Sequence, residues 1–167
     1  MISKNDHGLT LERLKEVLDY CPEDGVFRWR IRRGGSATAG SVAGSIVAGY
    51  RRIGIDKKGG HSAGRLAWFY VHGHWPPNDI DHVNNDRDDN RLSNLRLATR
   101  AQNIANVPVR SDNVAKLRGV TKGPWGYVAR VTIKGDRRYL GIFKTPQDAH
   151  ATYVKAAREF YGEYHRV

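Results

Sequence analysis

The chain has 167 residues, with 28 Lys and Arg against 17 Asp and Glu, a net charge of +11 and an isoelectric point near 10.0. That length holds one ordinary domain or two small modules, and so large a positive excess costs self-repulsion unless a polyanion binds it. No apolar run is long enough to span a bilayer and no charged, apolar leader is read at the start, so nucleic acid is the expected partner rather than a membrane.

Thr10 is suited to cap a helix whose apolar positions Leu11, Leu14, Leu18 and Cys21 follow a helical spacing. Cys21 is the only cysteine, which excludes an internal disulfide framework and any zinc site needing two or more cysteines; it is read as a half-buried thiol closing that helix. Pro22-Glu23-Asp24-Gly25 reads as a turn, and from Val26 the period becomes two. Phe27, Trp29 and Ile31 share one face of the predicted strand, while Arg28, Arg30 and Arg32 share the other and form a candidate phosphate-contacting surface.

Residues 34–49, rich in Gly, Ala and Ser, are loop-like, with short strand potential around Val42 and Ile46. A strand is expected over 50–55, ending in a turn at Lys57-Lys58-Gly59-Gly60, and a buried helix over 63–71, where Leu66, Ala67, Trp68, Phe69 and Tyr70 are core candidates. His72 and His74, near a Trp-Pro-Pro turn, read as surface or packing residues rather than metal ligands.

A polar block follows over 78–106. Two short apolar stretches, Ile80 to Val83 and Leu95 to Leu97, flank an Asn/Asp-rich loop and suggest a hairpin-like pair. Thr99 followed by Gln102 has the capping-box pattern, so a helix should start there and carry Asn103 in its second turn. Residues 108–116 lack apolar periodicity and read as a linker. Beyond it, residues 118–121, 126–133 and 137–143 look like three short strands, with a turn at Lys134-Gly135-Asp136. In the final helix Thr145 suits the cap, Pro146 the first position and Asp148 the third. Ala149, Tyr153, Ala156, Ala157 and Phe160 make one face, and Gly162 fits the stop.

The polar block holds the residue types that phosphodiester hydrolysis needs. A histidine is suited to activating water near neutral pH, and a carboxylate with an amide oxygen suits a hard divalent cation. Asp81 and His82 are adjacent on a strand, so their side chains point to opposite faces. Asn/Asp-rich loops are more often plain turns, and residue type alone does not decide between the two readings.

The order of the residues is more specific. Asp81-His82, a loop containing Asp89-Asn90-Arg91, then Asn94-Leu95-Arg96 and Ala98-Thr99 with Asn103 four residues after Thr99, resembles the HNH motif of phage homing endonucleases. Leu14 through Trp29 and Arg65-Leu66-Ala67-Trp68 are also similar to those proteins, and the resemblance spans about residues 9–107. It implies an α+β chain with a ββα-metal nuclease core. His82 would be the general base, Asp81 and Asn103 the ligands of one divalent ion, Mg²⁺ or Mn²⁺, and Asn94 the residue that fixes the loop and the histidine ring, with Asn90 the lesser claimant. The products would be 5′-phosphate and 3′-hydroxyl ends. Many relatives carry His before the Arg-Leu-Ala-Trp segment; here Gly64 stands there, with His61 three residues away, and the missing His is read as structural rather than catalytic.

Residues 117–163 resemble the DNA-binding domain of plant ethylene-response factors through Gly119-Val120, Pro124-Trp125-Gly126, residues 139–143 and the alanine-rich final helix. That family lays a three-stranded sheet in the major groove with the helix behind it. The residue pattern agrees: Ala129, Val131 and Ile133 can face the helix, leaving Arg130, Thr132 and Lys134 outside, with Arg137 and Tyr139 outward on the next strand. Arg118, Lys122 and Trp125 are expected on the same surface, where cations and aromatics meet phosphates, sugars and base edges.

The sequence therefore predicts a nuclease domain over residues 1–107, a linker over 108–116 and a DNA-binding domain of three-stranded sheet plus helix over 117–167. The expected partner is double-stranded DNA, with the protein a monomer or homodimer in the cytoplasm of a bacterial host, at the nucleoid. The alternative is a DNA-binding protein that does not cut; only the nuclease needs Asp81, His82 and Asn103 together.

Overall fold

The computed structural model describes residues 8–34, 37–56, 59–106, 109 and 113–164. Short helices and small sheets alternate along the chain in a mixed α/β arrangement, and they divide into two compact units, residues 1–97 and 98–167. Residues 108 and 110–112 of the expected linker, and Lys57 and Lys58 of the expected turn, lie outside the described residues.

In the first unit, α1 (Leu11–Val17) starts where Thr10 Oγ1 accepts the Arg13 backbone N–H at 3.2 Å. It ends earlier than its spacing predicts. Leu18 turns extended, with φ −130°, and β1 (Leu18–Cys21) pairs antiparallel with β2 (Val26–Trp29) across the Pro22–Gly25 turn. The reason is that Leu18 and Tyr20 satisfy a strand's alternation as well as Leu18 and Cys21 satisfy a helix, and pairing with β2 decides between them. Cys21 consequently sits on the outer side of the hairpin and is exposed, not half-buried. Phe27 and Trp29 are buried as expected, but the strand stops at Trp29 and Ile31 is exposed.

A second antiparallel sheet orders β3 (Ser45–Val47), β4 (Tyr50–Gly54) and β5 (Gly60–Ser62). β5 leads directly into α2 (Ala63–His72), which ends on Gly73 in the left-handed region and buries Ala63, Gly64, Leu66, Ala67 and Phe69. These residues join Leu14, Val17, Leu18, Tyr20, Phe27, Trp29 and Ile53 in one apolar core. β6 (Asp79–His82) then pairs with β7 (Leu95–Ala98), the two joined by the polar loop.

The second unit starts with α3 (Arg100–Asn106). Its first turn is held by the predicted box: the Gln102 N–H donates to Thr99 Oγ1 at 3.3 Å, and Gln102 Oε1 accepts the Thr99 N–H at 2.8 Å. β8 (Val120–Gly123), β9 (Gly126–Ile133) and β10 (Asp136–Phe143) form an antiparallel sheet with β9 central. α4 (Pro146–Tyr161) covers one face, capped by Thr145, whose Oγ1 accepts the Asp148 N–H at 3.2 Å. Val120, Ala129, Val131, Ile133, Ala149, Tyr153 and Ala157 form the buried layer between sheet and helix. Phe160, expected in that layer, is half exposed and lies under the Arg138 guanidinium at 5.5 Å instead.

Candidate active site and nucleic-acid interface

β6 brings Asp81 and His82 to its buried end, and both are nearly inaccessible, at 4% and 6% exposure. Strand alternation sends them opposite ways. Asp81 Oδ2 accepts Arg96 Nε of β7 at 2.9 Å, while His82 Nε2 faces Asn90 Oδ1 of the loop at 3.3 Å. Burial lowers the proton affinity of His82 below the ordinary imidazole range, with the Asn90 contact and the carboxylates of Asp81, Asp86 and Asp89 opposing it. Burial thus favours the neutral form of the ring.

The loop between β6 and β7 is held by its own side chains. Asn84 Oδ1 accepts the Asp86 N–H at 2.9 Å and Asp86 Oδ1 accepts the Asp88 N–H at 3.0 Å, successive Asx turns that use the Asn/Asp composition. Asn94 takes a central place: its Oδ1 accepts the Asn84 N–H at 3.0 Å and its Nδ2 donates to the Asp89 carbonyl at 2.8 Å. Asp89 receives the Arg91 guanidinium at 2.6 and 2.8 Å and the Asn84 amide at 2.7 Å, which holds its carboxyl down to about 2. Arg51 of β4 grips Asp88 with two bonds of 2.7 and 2.8 Å. The two jobs expected of Asn94, with Asn90 the lesser claimant, are therefore divided: Asn94 ties the loop, and Asn90 meets the ring.

Asp81 has the hard oxygen chemistry that Mg²⁺ or Mn²⁺ takes, and Arg96 meets its Oδ2; a single carboxylate plus substrate phosphate and water is an ordinary Mg²⁺ arrangement. The donor set therefore fits the ion in chemistry. Among the described residues no group of three or more His, Cys, Asp or Glu stands ready to hold a metal. Asn103, the expected amide ligand, lies on α3 in the second unit, half-buried, with its backbone N–H on the Thr99 carbonyl at 2.9 Å. His61 is buried and stacks on Trp75, and His72 and His74 are exposed.

In the second unit the register sorts the proposed DNA contacts. Arg130 is opposite Tyr139 and Thr132 opposite Arg137, so these four share the face away from α4. A bulge between Tyr139 and Gly141 absorbs Leu140. Trp125, at the β8–β9 turn, is 85% exposed and Tyr139 is 60% exposed. Lys134 is exposed in the β9–β10 turn, with φ 50°. Lys122 departs from expectation: it is opposite Tyr127, a residue of the helix-facing set, and Thr121 takes the outer position, where Arg130 Nη1 reaches its Oγ1 at 3.4 Å. Arg118 is also turned elsewhere, donating to the Ile104 carbonyl of α3 at 3.3 Å. Of the first-unit arginines, Arg28, Arg30 and Arg32 are all exposed; Arg28 pairs with Asp24 at 3.4 Å and Arg30 donates to the Lys15 carbonyl at 3.0 Å.

A buried histidine and a buried carboxylate thus stand side by side at the edge of a tightly tied polar loop. A family model described as HNH endonuclease matches residues 62–105 of this chain. The matched stretch runs from Ser62 through α2, β6, the polar loop and β7 into α3, and it contains Asp81, His82, Asn90, Asn94 and Asn103. It supports a nuclease acting on DNA. No solved structure matches the chain. Among the described residues no helix is long and apolar enough to cross a membrane.

Proposed function

We propose that the chain is a metal-dependent HNH endonuclease of the homing type, which cuts double-stranded DNA to leave 5′-phosphate and 3′-hydroxyl ends. The observation that carries this reading is His82: buried, favoured in its neutral form and turned into the loop inside the matched segment, with Asp81 beside it. His82 takes the proton of the attacking water. Asn94 keeps the loop in shape around it, and Arg96 holds the Asp81 carboxylate in place. Asp81 is the metal ligand of the first unit, and the sequence pattern assigns Asn103 as the second. When bound, the ion supplies neutralisation of charge on the phosphate and the departing 3′ oxygen.

The nuclease region and the reading region are proposed as separate modules. The second binds duplex DNA through Arg130, Thr132, Arg137 and Tyr139, with Trp125 and Lys134 at the turns; Arg28, Arg30 and Arg32 add phosphate contacts. Acting as a monomer the protein would nick, whereas a homodimer could present a centre to each strand.

The test is incubation of purified protein with plasmid DNA, with and without Mg²⁺ or Mn²⁺. Cutting is expected with the ion and not with EDTA, and His82→Ala should lower its rate by about 10²- to 10⁴-fold with DNA binding intact. A His82→Ala protein that cuts at the parent's rate would sink the mechanism. Binding without cutting under either metal would make the chain a DNA-binding protein alone.

A further inference from the structure

We infer that Asn90 is the positioning residue of His82, fixing the ring with its proton on Nε2 and its lone pair on Nδ1, and that Gly64 is there to make room for it. The inference rests on the endonuclease reading for its consequence in catalysis, but not for its geometry.

Asn90 is 2% exposed, and so thoroughly buried an amide needs its bonds made. Its Nδ2 donates to the Asp88 carbonyl at 2.9 Å, which fixes the direction of the amide and leaves Oδ1 as the end facing the ring, 3.3 Å from His82 Nε2. An amide oxygen only accepts. The ring nitrogen it meets must therefore carry the proton, and Nδ1 is left as the acceptor.

The backbone beneath this amide is held from two further sides. The Asn90 carbonyl accepts the Tyr20 hydroxyl of β1 at 2.7 Å. Gly25, with φ +74°, presses the β1–β2 turn so closely that an added Cβ would stand 2.5 Å from the Asn90 carbonyl carbon and 2.3 Å from the Arg91 nitrogen. On α2, a Cβ at Gly64 would stand 3.2 Å from Asn90 Oδ1, 3.4 Å from Ile80 Cγ2 and 3.5 Å from Leu95 Cδ2. Any side chain larger than a methyl group at position 64 would displace the amide from the ring. Asn94, the other buried asparagine of the loop, has Oδ1 and Nδ2 engaged by Asn84 and Asp89.

The experiment is a long-range ¹H–¹⁵N correlation on the ¹⁵N-labelled full chain, at a pH above the ring's titration, together with single-turnover cleavage at saturating DNA. The parent should show His82 as the Nε2–H tautomer. Asn90→Ala should show a mixture of tautomers, a cleavage rate lowered about 10- to 100-fold and DNA affinity unchanged. Asn90→Asp, which keeps an accepting oxygen, should restore the parent's tautomer. Gly64→Leu, which leaves Asn90 in the chain but crowds it, should shift the tautomer as Asn90→Ala does. An Nδ1–H tautomer in the parent overturns the inference even if Asn90→Ala does not fold, and so does a parent-like tautomer and rate in Asn90→Ala. The expected tautomers in a protein that cuts no DNA would leave the positioning standing and defeat the endonuclease reading.

Discussion

The polar loop of the first unit and the outer sheet face of the second set their side chains to opposite uses. Between β6 and β7 the Asn and Asp side chains turn inward and bond to one another and to backbone, with Asn90 and Asn94 buried. On the sheet of β8, β9 and β10, Arg137, Tyr139 and Trp125 stand out into solvent, while the order of the sheet comes from the apolar layer against α4. A group that must hold a reacting atom in place benefits from a rigid, satisfied surround. A group that must meet a long polyanion benefits from exposure. Under the proposed function the contrast is between chemistry and capture.

Breaking each region separately is the strongest way to test the contrast. Gly25→Ala should destabilise the first unit by about 2–4 kcal/mol, since the new methyl group meets backbone and the residue is left at positive φ. Gly119→Ala should do comparable damage in the second unit, where the methyl group would stand 2.1 Å from the Tyr153 ring and φ is +73°. Urea denaturation read beside DNA binding checks both: the first variant should bind DNA and fail to cut, and the second should lose affinity. Equal loss of binding in the two would erase the distinction.

A smaller effect sharpens the capture side. Arg130→Ala should weaken binding across unrelated sequences and reduce the slope of log affinity against log salt by about 1. Lys122→Ala should change that slope less, because its register faces the helix side; equal changes would show that the register does not govern contact.

The smallest effect lies in the loop. The carboxyl of Asp89 is held down to about 2 by Arg91, below its ordinary 3.8, so its contribution to stability is complete above the unfolded value and is lost as pH falls through the folded one. Between about pH 4 and pH 2 the parent should therefore lose more stability than Asp89→Asn, as read from urea midpoints. Parallel curves would show that the Arg91 pair adds nothing to the loop.

The features legible in the sequence were local ones. The Thr99–Gln102 and Thr145–Asp148 boxes, the Pro22–Gly25 turn and the helix after Ser62 follow from residues within a few positions of one another. What sequence reading missed depended on partners far along the chain. Leu18 to Cys21 fits two periods, and β2 chooses between them. The short β5 exists because β4 pairs with it, and nothing in Gly60-His61-Ser62 announces a strand. Strand alternation, counted from Val120, would have placed Lys122 on the helix side. Asn90 was the harder case: its neighbours Tyr20, Gly25 and Gly64 are brought to it only by folding, so the sequence ranked it behind Asn94. The departure at Gly64 has a physical reason, since even a Cβ there would stand 3.2 Å from Asn90 Oδ1.

The exposed sheet face also bears on how such a protein changes over generations. Ala129, Val131 and Ile133 hold the sheet together from behind, so Arg130, Thr132, Arg137 and Tyr139 can be exchanged at costs within about 0.5 kcal/mol each, the usual scale for surface substitutions. If this face reads DNA as proposed, its contacts can change while the folding is undisturbed. The loop around His82 has less freedom, because Asn84, Asp89, Asn90 and Asn94 are tied to one another and to backbone. Under the proposed function, freedom in recognition and constraint in cutting would both follow from one asymmetry in burial.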